Sequence, residues 1–242
     1  MKIIVIGYTD YKEKDIIVNA ISEEGPISFK VRGALNPNSA FIWLKNPLVT
    51  AEVGYVENVR YRHQILKEAK LISSPLSNNL SLEKMENIGF VMEIINNMFP
   101  ESERHLLFHE IEKFLKATKE TSVEYDHLAQ LIFLAKAIKA VGSELVTDRC
   151  VHCGATSDIV AFSFSQGGFV CRSCLPKGEL TDLYPREMKL VISVFRTETY
   201  ENLPLEKVSQ ESIKILFIKF NEYINEGIGV HLGTVDNIIK SI

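Results

Sequence analysis

Alternating strands over the first 75 or so residues, a helical period from Ser81 onward, and paired cysteines set among those helices predict a multi-domain α+β chain. The expected architecture is an N-terminal OB-fold β-barrel at 1–78 and an all-helical domain at 79–242. A four-cysteine zinc hairpin is inserted at 147–178.

The strand reading starts with "KIIVIGY", a continuous apolar run, and "DIIVNAI" repeats the style after a polar turn at Thr9 to Lys14. "SEEG" at Ser22 to Gly25 supplies a hairpin turn. "PISFKVRGA" then alternates, with Ile27, Phe29 and Val31 on one face and Ser28, Lys30 and Arg32 on the other. "NPNS" at Asn36 to Ser39 breaks the chain. Two further strands, "LVTAEVGYVENVRY" and "HQILKEAKLIS", flank a turn near Val59 to His63. Five short strands with glycines at bends (Gly33, Gly54) suit a small closed barrel, with an open sandwich as the alternative.

Helices follow. "LEKMENIGFVMEIINNMF" places Met85, Ile88, Val91, Met92 and Ile95 on one stripe before Pro100 stops it. "ERHLLFHEIEKFLKAT" repeats the pattern with Leu107, Ile111, Phe114 and Leu115. "YDHLAQLIFLAKAIKAVG" is apolar on most faces, which predicts a buried central helix ending at Gly142. Pro185 opens "REMKLVISVFRTET" from a favoured first-turn position. "QESIKILFIKFNEYINEG" is amphipathic and expected to close at Gly227.

The four cysteines form two C-x2-C pairs, Cys150/Cys153 and Cys171/Cys174, with a seventeen-residue spacer. A two-residue gap turns both thiolates of a pair towards one ion, and this spacing suits a tetrahedral zinc site. Between the pairs, "IVAFSFSQGGFV" reads as a hairpin with strands at Ile159 to Phe164 and Phe169-Val170 and a turn at Gln166 to Gly168. Disulfides would suit an oxidising compartment, but no signal peptide is recognised. A thioredoxin-like site needs one C-x-x-C between a strand and a helix. A catalytic zinc keeps one open position, whereas four thiolates close the shell, so the expected role is structural. His152 is a possible substitute ligand, read as a bystander because the thiolate set is complete.

The chain carries a net charge of −4, which argues against indiscriminate coating of nucleic acid. The charge is uneven: residues 1–80 hold ten Lys and Arg against eight Asp and Glu, and the rest hold seventeen against twenty-three. No stretch approaches the roughly 20 apolar residues of a membrane span. His109-Glu110 lacks the second histidine of a zinc-protease helix, since Lys113 stands there, and no nucleotide-phosphate loop or nucleophile elbow occurs. The expectation is a cytoplasmic protein that is not an enzyme.

Nucleic-acid contact has specific candidates. Barrels of this type stack bases on aromatics while cations follow phosphates. Lys30 and Arg32 lie on the polar face of the third strand, Arg60, Tyr61 and Arg62 interleave in the last turn, and Lys67 follows on the last strand. The competing reading is that these cations merely keep a strand edge soluble.

Taken together, these features resemble the RecO family of bacterial recombination mediators. The resemblance is carried by "GYTDYKEKDIIVNAISEEGPISFKVRGALNPNS", by "DRCVHCG" and "FSFSQGGFVCRSC", and by the closing "GVHLG", and it covers nearly the whole chain. It implies binding of single- and double-stranded DNA, annealing of complementary strands coated by single-stranded-DNA-binding protein (SSB), and assistance with RecA loading together with RecR. It implies no nucleotide hydrolysis and a nucleoid-associated location. Arg32 matches the arginine of the family's arginine-glycine-alanine element, and the four cysteines match its zinc ligands. One departure stands out: the loop after that element, "LNPNSAFIWLKN", carries Lys45 as its single cation, where the family is rich in them. DNA binding by the barrel is then either weaker than usual or moved to Arg60, Arg62 and Lys67. Phe41 and Trp43 in that loop read as a core strand, with a stacking platform as the alternative. A second reading makes the chain a zinc-stabilised interaction module that docks RecR and the C-terminal tail of SSB.

Overall fold

The computed structural model describes residues 1–57, 63–76, 81–119, 122–201, 203 and 208–242. The chain divides into two compact units, Met1–Lys119 and Glu120–Ile242. The change from strand to helix falls near residue 80, as the sequence indicates, but the first two helices belong with the barrel's unit.

In the first unit, strands β1 (Lys2–Tyr11), β2 (Asp15–Ser22), β3 (Gly25–Val31), β4 (Thr50–Val56) and β5 (Gln64–Ser73) close a barrel in the order β1-β2-β3-β5-β4. All pairs are antiparallel except β3 with β5, where Phe29 faces Gln64 and Lys30 faces Ile65. Closure comes from β1 pairing with β4, Lys2 opposite Glu52, and removes free edges. Alternate residues Ile3, Val5, Ile16, Val18, Phe29, Val31 and Val53 fill the interior. Ile4, Ile6 and Ile21 on the other face are buried too, which explains the unbroken apolar run of β1. A 3-10 segment, Glu101–Leu107, packs on β2 and β3 from outside.

The "AFIWL" segment is not a core strand. It forms a 3-10 helix, Ile42–Lys45, whose Leu44 is buried in the barrel core with Phe41 and Trp43 packed half-buried beside it. Its five residues are too few to express a period, so strand and helical turn read alike from sequence.

Helix α1 (Leu82–Met98) begins at Ser81, whose Oγ accepts the Lys84 N–H, and α2 (Phe108–Ala117) follows the 3-10 segment. The buried stripe of α1 is Ile88, Phe90, Val91, Ile94, Ile95 and Met98, rotated from the expected one. Met85 is 52% exposed, while Phe90 and Ile94 take the inward face.

The second unit contains α3 (Val123–Ala140), the hairpin β6 (Ile159–Ser163) and β7 (Gly168–Cys171), α4 (Pro185–Arg196), α5 (Gln210–Ile228) and α6 (Gly233–Ser241). α3 is the buried central helix, with Leu131, Leu134, Ala135 and Ile138 fully enclosed. α4 and α5 both pack on it, and Glu187 accepts a 2.7 Å hydrogen bond from Ser212 in that interior. α5 runs past Gly227 and ends at Gly229, whose φ of 77° provides the left-handed cap. α6 has no counterpart in the sequence expectations. Among the described residues no helix is long and apolar enough to cross a membrane.

Candidate metal centre and barrel rim

The two cysteine pairs sit on tight backbone turns that flank the β6–β7 hairpin. In the first, the Gly154 N–H donates to the Cys150 carbonyl and the Cys150 N–H to Ala155. In the second, the N–H groups of Cys174 and Leu175 both donate to the Cys171 carbonyl. The Val151 N–H donates to Phe169 at 2.8 Å and fastens the first turn to the hairpin. Gly168 fixes the approach: Val146 crosses so close that a Cβ there would lie 2.2 Å from the Val146 carbonyl oxygen. The hairpin docks on its own unit through aromatic contacts, with Phe164 at 6.0 Å from Phe220 and 5.8 Å from Tyr223 of α5.

All four Sγ atoms lie within 4.8 Å of one another, and Cys153 and Cys171 approach to 3.6 Å. The edge of a tetrahedron with metal–sulfur bonds of about 2.3 Å is about 3.8 Å, so the cluster has the dimensions of a four-thiolate site. No pair is joined as a disulfide.

The electrostatics favour a cation. N–H groups of Cys171, Cys153 and His152 pull the Cys150 thiol down to about 6. The Ser173 hydroxyl, with help from the Cys174 N–H, lowers Cys171. Cys174 is pushed up to about 12 by the sulfurs of Cys153 and Cys171. Thiols this crowded cannot all ionise alone, and a divalent ion resolves the conflict by holding every thiolate. The four cysteines can hold a metal ion. His152 is exposed, bonds Gln166 at 2.7 Å and stands outside the ligand set, as expected.

The predicted nucleic-acid residues are distributed differently. Lys30 makes a 3.1 Å ion pair with Asp15 and lies 4.7 Å over the Tyr11 ring. Asp15 also accepts the Gly33 N–H at 3.0 Å, and this bond, followed by Lys30 and Arg32, holds its carboxyl below the ordinary range. Arg32 is exposed just beyond β3. Lys67 is exposed on β5, two residues beyond Ile65, which pairs with Lys30. Arg60, Tyr61 and Arg62 lie outside the described residues.

The structure adds members that residue counting missed. Tyr8 and Tyr11, both on β1, are 40% and 37% exposed, and Lys45 lies 5.1 Å over the Tyr8 ring. Lys12 lies 5.7 Å over Tyr11. The result is a rim with two separate clusters: Tyr11 with Lys12 and Lys30, opposite Asp15 on the outer face, and Tyr8 with Lys45, opposite Val18 on the face that lines the core. Arg32 lies near Asp15. The signal was present in "GYTDYKEKD", where two tyrosines close a strand and a lysine opens the turn. Trp43 is not a free platform, because its indole N–H donates to Ala40 at 2.8 Å while its ring packs on the core.

Comparison with known proteins adds identity to this geometry. Residues 80–235 match the sequence model of a family described as "Recombination protein O C terminal". A protein of Halalkalibacterium halodurans called DNA repair protein RecO is 24% identical over 231 residues, covering 95% of this chain and 89% of its own length. A protein of the same description from Exiguobacterium is 26% identical over 244 residues, with 98% and 95% covered. Another from Shouchella clausii is 26% identical over 237 residues, with 95% and 89% covered.

Proposed function

This chain belongs to the RecO family of DNA repair proteins, and on that premise we propose that it is a non-enzymatic recombination mediator. It binds single- and double-stranded DNA, anneals complementary strands coated by SSB and, with RecR, assists RecA loading in the bacterial cytoplasm, at the nucleoid. The observation that supports this reading best is the barrel rim, where Tyr11 stands beside Lys12 and Lys30, Tyr8 beside Lys45, and Arg32 is exposed just beyond β3. Exposed rings stack on bases of any sequence, and cations beside them follow the phosphates. Strand pairing itself supplies the driving energy, so the protein needs only to reduce phosphate repulsion between two strands held close.

Zinc is the proposed ion of the four-cysteine cluster, since closed thiolate shells suit it and leave no position for substrate. Its role is to fix the hairpin on α5. The test of the main reading is annealing of labelled complementary strands, bare and SSB-coated. Acceleration above the spontaneous rate is expected, and an unchanged rate would sink the reading.

A groove on the second unit supports the alternative, docking of a protein tail. It encloses about 300 Å³ between α3 and α4, is floored by Leu128, Ile132, Leu190 and Val194, and carries Arg186 and Lys189. An acidic tail with apolar side chains, as in SSB, fits both features. If Arg186→Glu abolishes SSB-tail binding and SSB-dependent annealing alike but spares annealing of bare strands, docking is a separate part of the function.

A further inference from the structure

The first unit has a second concentration of positive charge, away from the rim. A cleft of about 500 Å³ opens between the barrel and helices α1 and α2. Lys2, Lys84, Lys113, Lys116 and Lys119 line it, against one acid, Glu112, among the described lining residues. The whole chain has 27 Lys and Arg against 31 Asp and Glu, so this cleft reverses the average balance. Lys2 ion-pairs with Glu112 and Lys113 with Glu110, which fixes those two ammonium groups at the cleft wall. Lys116 and Lys119 are exposed at the end of α2 and just beyond it. The Thr50 and Ser73 hydroxyls share the lining.

The position of the cleft is as informative as its charge. Lys2 begins β1, and Thr50 faces Ser73 at one end of the β4–β5 ladder. The rim residues Tyr8 and Tyr11 lie at the far end of β1, and Lys30 lies beside Ile65 at the other end of that ladder. At about 3.3 Å per residue, Lys2 and Tyr11 are roughly 30 Å apart along β1. The two basic regions therefore occupy opposite ends of one barrel.

We propose that the lysine cleft is a second strand-binding site, which takes the sugar–phosphate backbone of a DNA single strand independently of the rim. This rests on the DNA-binding reading above. The lining suits a run of phosphates: its lysines, with no arginine among the described residues, act as mobile point charges that need no planar, bidentate partner. Among the described residues it also contains no aromatic ring on which a base could stack, so the contact is to the backbone and indifferent to sequence. Two strand sites at opposite ends of a rigid barrel give an annealing protein a means of holding both partners.

The test is the salt dependence of single-strand binding by the full chain, with Lys84→Gln/Lys116→Gln/Lys119→Gln, the matching lysine-to-arginine triple, and Lys30→Ala/Arg32→Ala. With about 0.7 in slope per phosphate contact on single strands, the glutamine triple is expected to flatten log K against log salt by roughly 2. The arginine triple is expected to keep the wild-type slope, which separates charge from folding. The rim variant is expected to retain a salt-dependent component that the glutamine triple then removes. A glutamine triple with native circular dichroism and an unchanged slope overturns the second site and leaves the main reading standing. Loss of polyglutamate binding in that triple with an unchanged DNA slope also overturns it, in favour of an acidic peptide. A wild-type chain without salt-dependent DNA binding overturns both.

Discussion

The four-thiol cluster draws its ligands from two turns separated by seventeen residues, whereas the barrel rim gathers Tyr11, Asp15, Lys30 and Arg32 from around three strands. The cluster is held from within: hydrogen bonds close each turn, Gly168 admits Val146, and Phe164 anchors the hairpin to α5. The rim is held by the barrel beneath it, and Tyr8, Tyr11, Lys12 and Arg32 remain exposed while the paired Asp15 and Lys30 are half-buried. A closed site of this kind stabilises a fold, and an open one binds. Losses at the first are therefore expected in stability and losses at the second in affinity, with little exchange between them.

The largest expected effect is at the cysteines. Metal binding in small closed thiolate sites is worth roughly 10 kcal/mol, so Cys171→Ser or strong chelation is expected to unfold the hairpin and loosen the second unit. Limited proteolysis around residues 147–178 reads this directly, with metal content measured on the same sample. A metal-free chain of native stability would break the comparison on its structural side.

Gly168→Ala comes next. Its φ of 149° and the close Val146 carbonyl leave no room for a methyl group, and a loss of about 2–4 kcal/mol is expected from the shift in thermal midpoint. Metal affinity is expected to fall with it, because the hairpin positions Cys171.

At the rim the expectation reverses. Tyr8→Ala/Tyr11→Ala removes two stacking surfaces worth roughly 1–3 kcal/mol each, so single-strand affinity is expected to fall at least tenfold while thermal stability of the second unit is unchanged. Fluorescence anisotropy with a labelled oligonucleotide, beside a melting curve, distinguishes the two outcomes.

The smallest effect is that of Asp15. Its carboxyl lies below the ordinary 3.8, chiefly through the Gly33 N–H and secondarily through Lys30, so the charged form stabilises the native state. That contribution is complete above the unfolded value and is lost as pH falls through the folded one, which confines it to acid below about pH 4. Asp15→Asn is expected to lower stability by about 1 kcal/mol at neutral pH and to remove this acid-sensitive component. Melting curves between pH 2 and pH 7 check it.

The same contrast explains what could be read from the residues. Cys150, Cys153, Cys171 and Cys174 announce themselves because spacing alone constrains a metal site. The alternation of Ile27, Phe29 and Val31 likewise places β3, of which the last two are fully enclosed. Closure of the barrel was a choice between architectures, and it is decided by a pairing of β1 with β4 between residues about fifty apart. Tyr8 and Tyr11 were missed because their partners, Lys45 and Lys30, come from distant segments. The stripe of α1 was misjudged because spacings of three and four residues fit two adjacent faces, and only packing chooses Phe90 over Met85. α6 was missed although Val235 and Ile238 are spaced for one helical face, because nine residues opening on Gly233 make only about two and a half turns. The grouping of α1 and α2 with the barrel had one clue, the two-faced burial of β1, which demands a covering layer outside the barrel.

The central claim is that the rim carries DNA while the metal centre carries the fold. Equilibrium binding of a labelled single strand by the metal-loaded full chain, compared with its Lys30→Ala/Arg32→Ala form across a salt series, tests it most directly. The account predicts a linear fall of log K with log salt in the wild type, a slope flatter by about 1.4 in the variant, and identical metal content in both. Equal slopes and equal affinities, with both proteins folded and metal-loaded, would contradict it.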